Sequence, residues 1–484
     1  MKKNISLLFF ALVIASSPIT QAEETISIGL KEVVDIALKN NLNLKIERIS
    51  PEIQQNSLIV EKSVFDPNLV VEGSTLKQEP DNAATGSQLN QTTFQASVSK
   101  RFSPGTNVAV NLTVTDDDNE TAGTMFGGNE TTTSLVITQP LLKNRGRMVN
   151  QRNITLTGYN LKIVELSFKQ RVIDTVAEAK SLYWKYYSSL ELLEVQKQSL
   201  TLAQRLNAEM EEKVRLGSTP RLDLLQSKAE VASREGEVIS AERDVYNNRD
   251  NLLNYIYGGL TTFGTVICKD SPSFEAVTVD EEEMQKTTLN HRTDYLTADY
   301  AVQSSQVDLV YFKNQKLPAL DISGTLGIND GKTDNAGSTG YQDYSYGMVK
   351  LSIDLPIGFR KDKTNYASAR LSNKQRKFAL ENTKNQVILD LRKSIRDMRA
   401  AYKSYQAIAL ARNLAEKSLE VEEGKFRHGL STSYNVHLNQ RDLSNARANE
   451  VNAAVNYQLT IIALYKAAGI TLEKNNIEIN EVSK

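Results

Sequence analysis

The side chains of this 484-residue chain that could do chemistry are few: His291, His428 and His437, the thiol of Cys268, and the acidic run Asp116-Asp117-Asp118-Asn119-Glu120. A zinc site or a hydrolytic base needs converging ligands, and no histidine here has two-histidine helical spacing or sits beside paired thiols. They read as solvated or packed side chains, with pH sensing as the alternative. A lone thiol makes no internal disulfide, so Cys268 reads as ordinary packing. The carboxylate run could draw a divalent cation, but it lacks the Gly and the terminal Glu of a calcium loop, so a solvated loop is expected. No phosphate-cradling loop or dinucleotide fingerprint occurs. The expectation is no enzyme, no metal and no cofactor, with a partner supplying any energy.

Composition narrows the classes further. With 57 basic and 58 acidic side chains the chain is almost neutral, which gives no reason to expect a nucleic-acid partner. Mean hydropathy is −0.38, and no internal run approaches the roughly 20 apolar residues of a membrane helix. A membrane role would have to use strands. At the N-terminus, Lys2-Lys3, the apolar stretch Ile5 to Ile14 and Thr20-Gln21-Ala22 have the three regions of a secretory signal, with cleavage expected after Ala22. A retained anchor is the alternative. No Cys follows the cleavage region, so lipid attachment is not expected.

These residues sit on a duplicated scaffold. Val214-Arg215-Leu216-Gly217, followed by Asp223-Leu224-Leu225, recurs 212 positions later as Phe426-Arg427-His428-Gly429, followed by Asn435-Val436-His437. No proline lies between Val149 and Leu216. There Phe168, Val172, Val176, Ala179, Tyr183, Tyr186, Leu190 and Leu193 form one stripe in steps of four and three. That predicts a helix of some 65 residues, about 100 Å long. After Gly217-Ser218-Thr219-Pro220 the pattern repeats by sevens, Leu224, Val231, Val238, Val245 and Leu252 beside Leu225, Ala232, Ile239, Tyr246 and Leu253, as in a coiled coil. In the second half Ile388, Leu391, Ile395, Met398, Tyr402, Tyr405 and Ala409 make a matching stripe. Val436 and Leu443 begin the return helix, where Glu450 interrupts the heptad.

Strands are expected between the helices. Pro67 to Ser74 resembles Pro318 to Thr325, and Leu135 to Pro140 resembles Leu351 to Pro356, each with an alternating apolar face. Pro67 to Pro140 spans 73 positions and Pro318 to Pro356 only 38. The surplus holds Phe94 to Ser99 and Val108 to Val114 around Ser103-Pro104-Gly105-Thr106, another hairpin by pattern. Four strands are therefore expected in the first half and two in the second; the simpler alternative has two membrane strands per half and the extra hairpin elsewhere. The stretch from Asp330 to Gln342 reads as an exposed loop. So few strands cannot close a barrel, and an open edge in lipid leaves backbone groups unsatisfied. Several chains must then share one.

The order of these features resembles the TolC family of outer-membrane efflux and secretion channels. The resemblance runs from Leu30 to Asn41 at the start to Ala468-Gly469 near the end. Between them it takes in Gln139-Pro140-Leu141-Leu142, His291-Arg292-Thr293-Asp294, Leu317-Pro318 and both Arg-x-Gly turns. It implies a mainly α fold with a β membrane portion: a duplicated long-helix coiled-coil barrel plus strands that form a trimeric outer-membrane β-barrel. It also implies an outer-membrane location with a long periplasmic portion, and partnership with a periplasmic adaptor and an inner-membrane transporter. The implied segments are a signal at 1–22, a first repeat at 23–260, an equatorial linker at 261–283, a second repeat at 284–470 and a tail at 471–484.

By the same resemblance, Arg215, Gly217, Arg427 and Gly429 match the turns where adaptors engage, and Asp223 lies near the constriction. Related channels place an acidic ring in the second half. Here Asn435 and Leu438 stand at the corresponding positions, which weakens that charge. Asp223 has an equally good local role, because a carboxylate in a helix's first turn gains a few tenths to about 1 kcal/mol. The rival class is a non-conducting periplasmic or surface coiled-coil scaffold or adhesin. Alternating strands with polar opposite faces and the duplicated prolines favour the duct, since a stalk needs neither.

Overall fold

A computed structural model describes residues 26–78, 87–121, 124–259, 265–335 and 338–479. The expected signal at 1–22 lies outside the described residues. In chain order the elements are β1 (Ile26–Ile28), α1 (Leu30–Asn40), α2 (Leu42–Lys62), β2 (Asn68–Gln78), β3 (Ser87–Arg101), β4 (Asn107–Thr121) and β5 (Thr124–Pro140). Then come α3 (Arg147–Asn150), α4 (Arg152–Arg215), α5 (Arg221–Tyr257), β6 (Val266–Cys268), α6 (Glu281–His291), α7 (Thr293–Gln315), β7 (Ala319–Asn335) and β8 (Ser338–Asp354). The chain ends with α8 (Arg360–Arg427), α9 (Ser433–Ala468) and α10 (Thr471–Lys474). Two compact units emerge. One draws on the described parts of Met1–Asn41, Thr175–Ala276 and Arg399–Ile462, the other on Leu42–Asp174, Val277–Met398 and Ala463–Lys484.

The first unit is helical. Its core gathers Val33 and Ala37 of α1, Ala179, Tyr183, Trp184 and Tyr186 of α4, Leu252, Leu253 and Ile256 of α5, Val266 of β6 and Val455 of α9. The stripe read along α4 is thus its buried face: Val176, Ala179 and Tyr183 are fully enclosed. Short strands β1 and β6 pair in parallel, Ile26 with Val266 and Ile28 with Cys268. Tyr186 anchors this pair by donating its hydroxyl to the Val266 carbonyl at 2.8 Å. The stretch after β6 lies on α8 and α9: Phe274 stacks on Tyr405 at 4.2 Å, Tyr457 donates to the Glu275 carbonyl, and Gln458 to that of Ser273. Cys268 is packed here, and burial pushes its thiol up to about 11. A thiolate nucleophile is disfavoured at this site.

The second unit carries a six-stranded, wholly antiparallel sheet in the order β2-β3-β4-β5-β7-β8. Four strands come from the first half and two from the second, as the surplus hairpin implied. The turn between β3 and β4 closes through Phe102 N to Thr106 O at 2.8 Å, with Gly105 at φ +103°. Two expectations are corrected. The acidic run lies within β4, not in a loop: Asp116 and Asp117 are paired with Asn129 and Gly128 of β5. Likewise β7 continues to Asn335 and β8 begins at Ser338, where an exposed loop was expected from Asp330 to Gln342. Backbone pairing holds a strand together after its apolar alternation ends, so hydropathy under-reads the polar outer part. In the same unit Arg292 ties several elements together. It donates to the Ala467 carbonyl at 3.1 Å and bridges Asp294 and Asp390.

Candidate functional site

Two regions carry the features that could serve a function: the helix-reversing turns of the helical unit, and the two faces of the sheet.

The turns are near copies. After α4, Gly217 N reaches the Val214 carbonyl at 3.0 Å and Ser218 N the Lys213 carbonyl at 2.9 Å. After α8, Gly429 N reaches Phe426 at 3.1 Å and Leu430 N reaches Lys425 at 2.9 Å. Both glycines have φ +73°, the left-handed value that closes a helix while satisfying its last carbonyls. Nothing approaches within 4 Å of either Cβ position, so conformation alone requires glycine. Beside them, Arg215 pairs with Glu212 at 2.5 Å and holds that carboxyl below its usual range. Arg427 is exposed and donates from Nε to the Glu423 carbonyl at 3.3 Å.

The return helices place the aperture candidates equivalently. Asp223 is the third residue of α5 and Asn435 the third of α9. Asp223 N bonds the Pro220 carbonyl at 3.2 Å, whereas Asn435 N bonds the Thr432 hydroxyl at 3.4 Å and its amide reaches Ser431 Oγ at 3.3 Å. Sequence separates these positions by two hundred residues, and the fold gives them one geometry. Below the turns all four long helices meet in a small core: Leu206 and Met210 of α4, Leu419 and Phe426 of α8, and Val436 and Leu443 of α9, with Leu224 of α5 packed against it. Lys213 Nζ sits 3.7 Å from the Phe426 ring centroid, a cation–π contact the sequence did not signal.

Next to this core lies a polar patch that sequence reasoning also missed. Arg234 of α5 is 5 % exposed and is neutralised along its own helix by Glu230 at 2.6 Å and Glu237 at 2.9 Å. His437 of α9 is within electrostatic reach of Arg234 and Glu230. Both its ring nitrogens are buried without a hydrogen-bond partner, and burial holds the ring below its ordinary 6.5. Only the arginine's place inside a heptad could have hinted at this. His428, by contrast, is exposed, and His291 bonds the Thr287 carbonyl at 2.9 Å and Glu473 at 3.1 Å. Among the described residues, no three His, Cys, Asp or Glu side chains converge as metal ligands would.

The sheet separates its chemistry by face. One row of the register runs Leu69, Val98, Val110, Leu135 and Leu326 across five strands. The same face carries Val71, Phe94, Ile137, Ile328, Val349, Leu351 and Ile353, and most of these are exposed. The opposite face has rows such as Glu72, Gln95, Thr113, Thr132, Asn329 and Tyr344. Its polar atoms are bonded across strands: Ser97 Oγ to Asn111 at 2.7 Å, Gln91 to Asp117 at 2.8 Å, Thr138 with Ser323 at 3.1 Å, and Asn329 to both Thr132 and Glu130. Gly327 leaves room for the Tyr346 ring, which a Cβ there would strike. Outward apolar and inward polar residues in alternation are the pattern of a strand wall between lipid and water. No described helix is long and apolar enough to cross a membrane.

Residues 284–470 match the family model described as outer membrane efflux protein. The chain is 22% identical over 321 residues to the outer membrane protein TolC of Vibrio cholerae serotype O1, covering 64% of this chain and 70% of that one. It is 21% identical over 373 residues to TolC of Salmonella enteritidis, covering 73% and 72%. Its fold is similar to that of the Campylobacter jejuni CmeC outer membrane channel, with TM-score 0.64, 16% identity and coverage of 94% and 89%. By the match over residues 284–470, these relatives and the shared fold, the chain is similar to the TolC outer membrane proteins and has the fold of an outer membrane channel.

Proposed function

We propose that this chain is the outer-membrane component of a tripartite efflux or type I secretion system, a passive export duct built from three copies. The strands of three chains share one barrel, and the helices form the periplasmic conduit. A periplasmic adaptor meets Arg215, Gly217, Arg427 and Gly429 at the helical turns and opens the entrance, while an inner-membrane transporter supplies the energy. Asp223 and Asn435, on equivalent first turns, line the aperture. The chain itself does no catalysis and needs no cofactor in this reading. Residues 23–260 and 284–470 are its two structural repeats, joined by 261–283 and followed by the tail 471–484.

The observation that carries this reading is the two-faced sheet with two open edges. An apolar face that large would be a liability in water, and unpaired edges would be one in lipid unless a further chain pairs them. A non-conducting coiled-coil stalk requires neither. Reconstitution in planar bilayers tests it: conductance that rises when the helical turns are loosened, and whose cation preference falls in Asp223→Ala, is the expected result. No conductance from the intact protein or from a variant with disrupted turns would favour the scaffold.

A further inference from the structure

We infer that the barrel in the outer membrane has 18 strands, six from each of three chains, and that this count sets the bore of the membrane portion. The inference rests on the three-chain reading above and adds to it the count and the seam.

The first support is that the additional hairpin belongs to the wall. β2 pairs with β3 without interruption from Asn68 opposite Ser99 to Gln78 opposite Leu89. Its Leu69 continues the apolar row Val98, Val110 and Leu135 of β3, β4 and β5 in register, and Val71 stands beside Ala96 and Leu112 of β3 and β4. A hairpin set aside from the barrel would have no reason to keep that alignment, because one residue of slip would turn these side chains to the polar face.

The second support is the edges. β2 is exposed along its whole length, and β8 nearly so. Each carries a row of backbone donors and acceptors that lipid cannot satisfy. Because the sheet has an even number of antiparallel strands, β8 runs opposite to β2. The β2 edge of a second copy can therefore continue the β8 edge of the first, with Leu69 and Val71 beside Val349, Leu351 and Ile353. Repetition of this seam closes the ring with no parallel joint.

The count has a functional consequence. At strand spacings of 4.7–4.9 Å and tilts near 40°, 18 strands give a backbone diameter of about 36 Å, against about 24 Å for 12. Barrels of 16–18 strands hold an aqueous channel, and this one would be lined by the Glu72 to Tyr344 row. Hydrated solutes and extended polypeptide would pass it unsieved.

The test uses full-length protein carrying Cys268→Ser and paired cysteine substitutions, oxidised in the membrane, with native mass spectrometry giving copy number. Val71→Cys combined with a panel at Val349, Lys350 and Leu351 is expected to give inter-chain disulfides in a three-copy assembly. Ala109→Cys on β4, combined with the same panel, is expected to give none. Cross-linking through β4 would mean 12 strands, overturning this inference and leaving the three-chain channel intact. A copy number other than three would overturn the channel reading itself. If the cysteine variants fail to fold, electron microscopy of the unmodified protein in nanodiscs measures the wall directly: a diameter near 36 Å supports the inference, and one near 24 Å overturns it.

Discussion

Arg412 and Glu450 face each other as a two-pronged pair between α8 and α9, Nε to Oε2 at 2.7 Å and Nη2 to Oε1 at 3.2 Å. Arg412 also reaches Glu416 at 3.3 Å; Glu416 accepts from Arg447 at 2.8 Å, and Arg447 donates to Gln198 of α4 at 2.9 Å. The acid that breaks the α9 heptad is thus one end of a polar ladder joining three helices. A carboxylate at such a position costs stability unless it is paired. Both partners are partly exposed, so Glu450→Ala is expected to lower stability by about 1 kcal/mol. In thermal melts at fixed protein concentration, Arg412→Ala should lose a similar amount, and the double variant little more than either. Fully additive losses would show that the pair contributes nothing.

The two reversing glycines should respond alike. Gly217→Ala and Gly429→Ala each force a Cβ into a left-handed conformation in open space, at about 1–2 kcal/mol apiece. Gly424 lies inside α8 with no neighbour within 4 Å of its Cβ position, so Gly424→Ala should stabilise by about 0.5–1 kcal/mol. Denaturant unfolding of the three variants checks the contrast in sign. Destabilisation at all three positions would mean that the turns are not special.

Acidification should loosen the contact between α5 and α9. Burial, reinforced by Arg234 and opposed by Glu230, keeps His437 neutral in the folded state, with a pKa below 6.5. The unfolded chain therefore binds the proton more readily. The contribution is intact above 6.5 and is lost as pH falls through 6.5 toward the folded value. Glu416 and Glu422 have carboxyls held below 4.5, so their contributions persist until lower pH. Between pH 7.5 and 5.5 the fall in melting temperature should be smaller in His437→Gln than in the parent. Equal falls would remove His437 from the effect.

The sheet faces predict opposite tolerances. Leu326→Arg puts a charge on the apolar face and should cost about 2–4 kcal/mol if that position lies at the bilayer midplane. Thr113→Lys, on the polar face, should be near neutral. Folding yield into lipid vesicles measures both, and the reverse order would assign the apolar face to the lumen.

Much of this architecture was legible in the residues. Spacings of three and four along Phe168 to Leu193, the sevens from Leu224 to Leu252 and the duplicated Arg-x-Gly turns are local patterns, fixed by helix geometry and by glycine's access to positive φ. The surplus between Pro67 and Pro140 was enough to expect the third hairpin. Less legible was whatever depends on a distant partner. Asp116 to Asp118 look like loop residues until β3 and β5 are seen on either side, because pairing overrides a polar composition. Glu450 reads as a fault in a heptad until Arg412, 38 positions earlier, is brought against it.

Sequence by itself determined the long helices, their reversals, the duplication and the alternation that gives the sheet two faces, since each follows from periodicity within one segment. Tertiary structure alone decided that all six strands form one continuous sheet, that Asp223 and Asn435 occupy equivalent first turns, and that Arg234 and His437 are buried near each other. Those facts depend on which segments meet, and no local pattern encodes the energy of a contact between residues hundreds of positions apart.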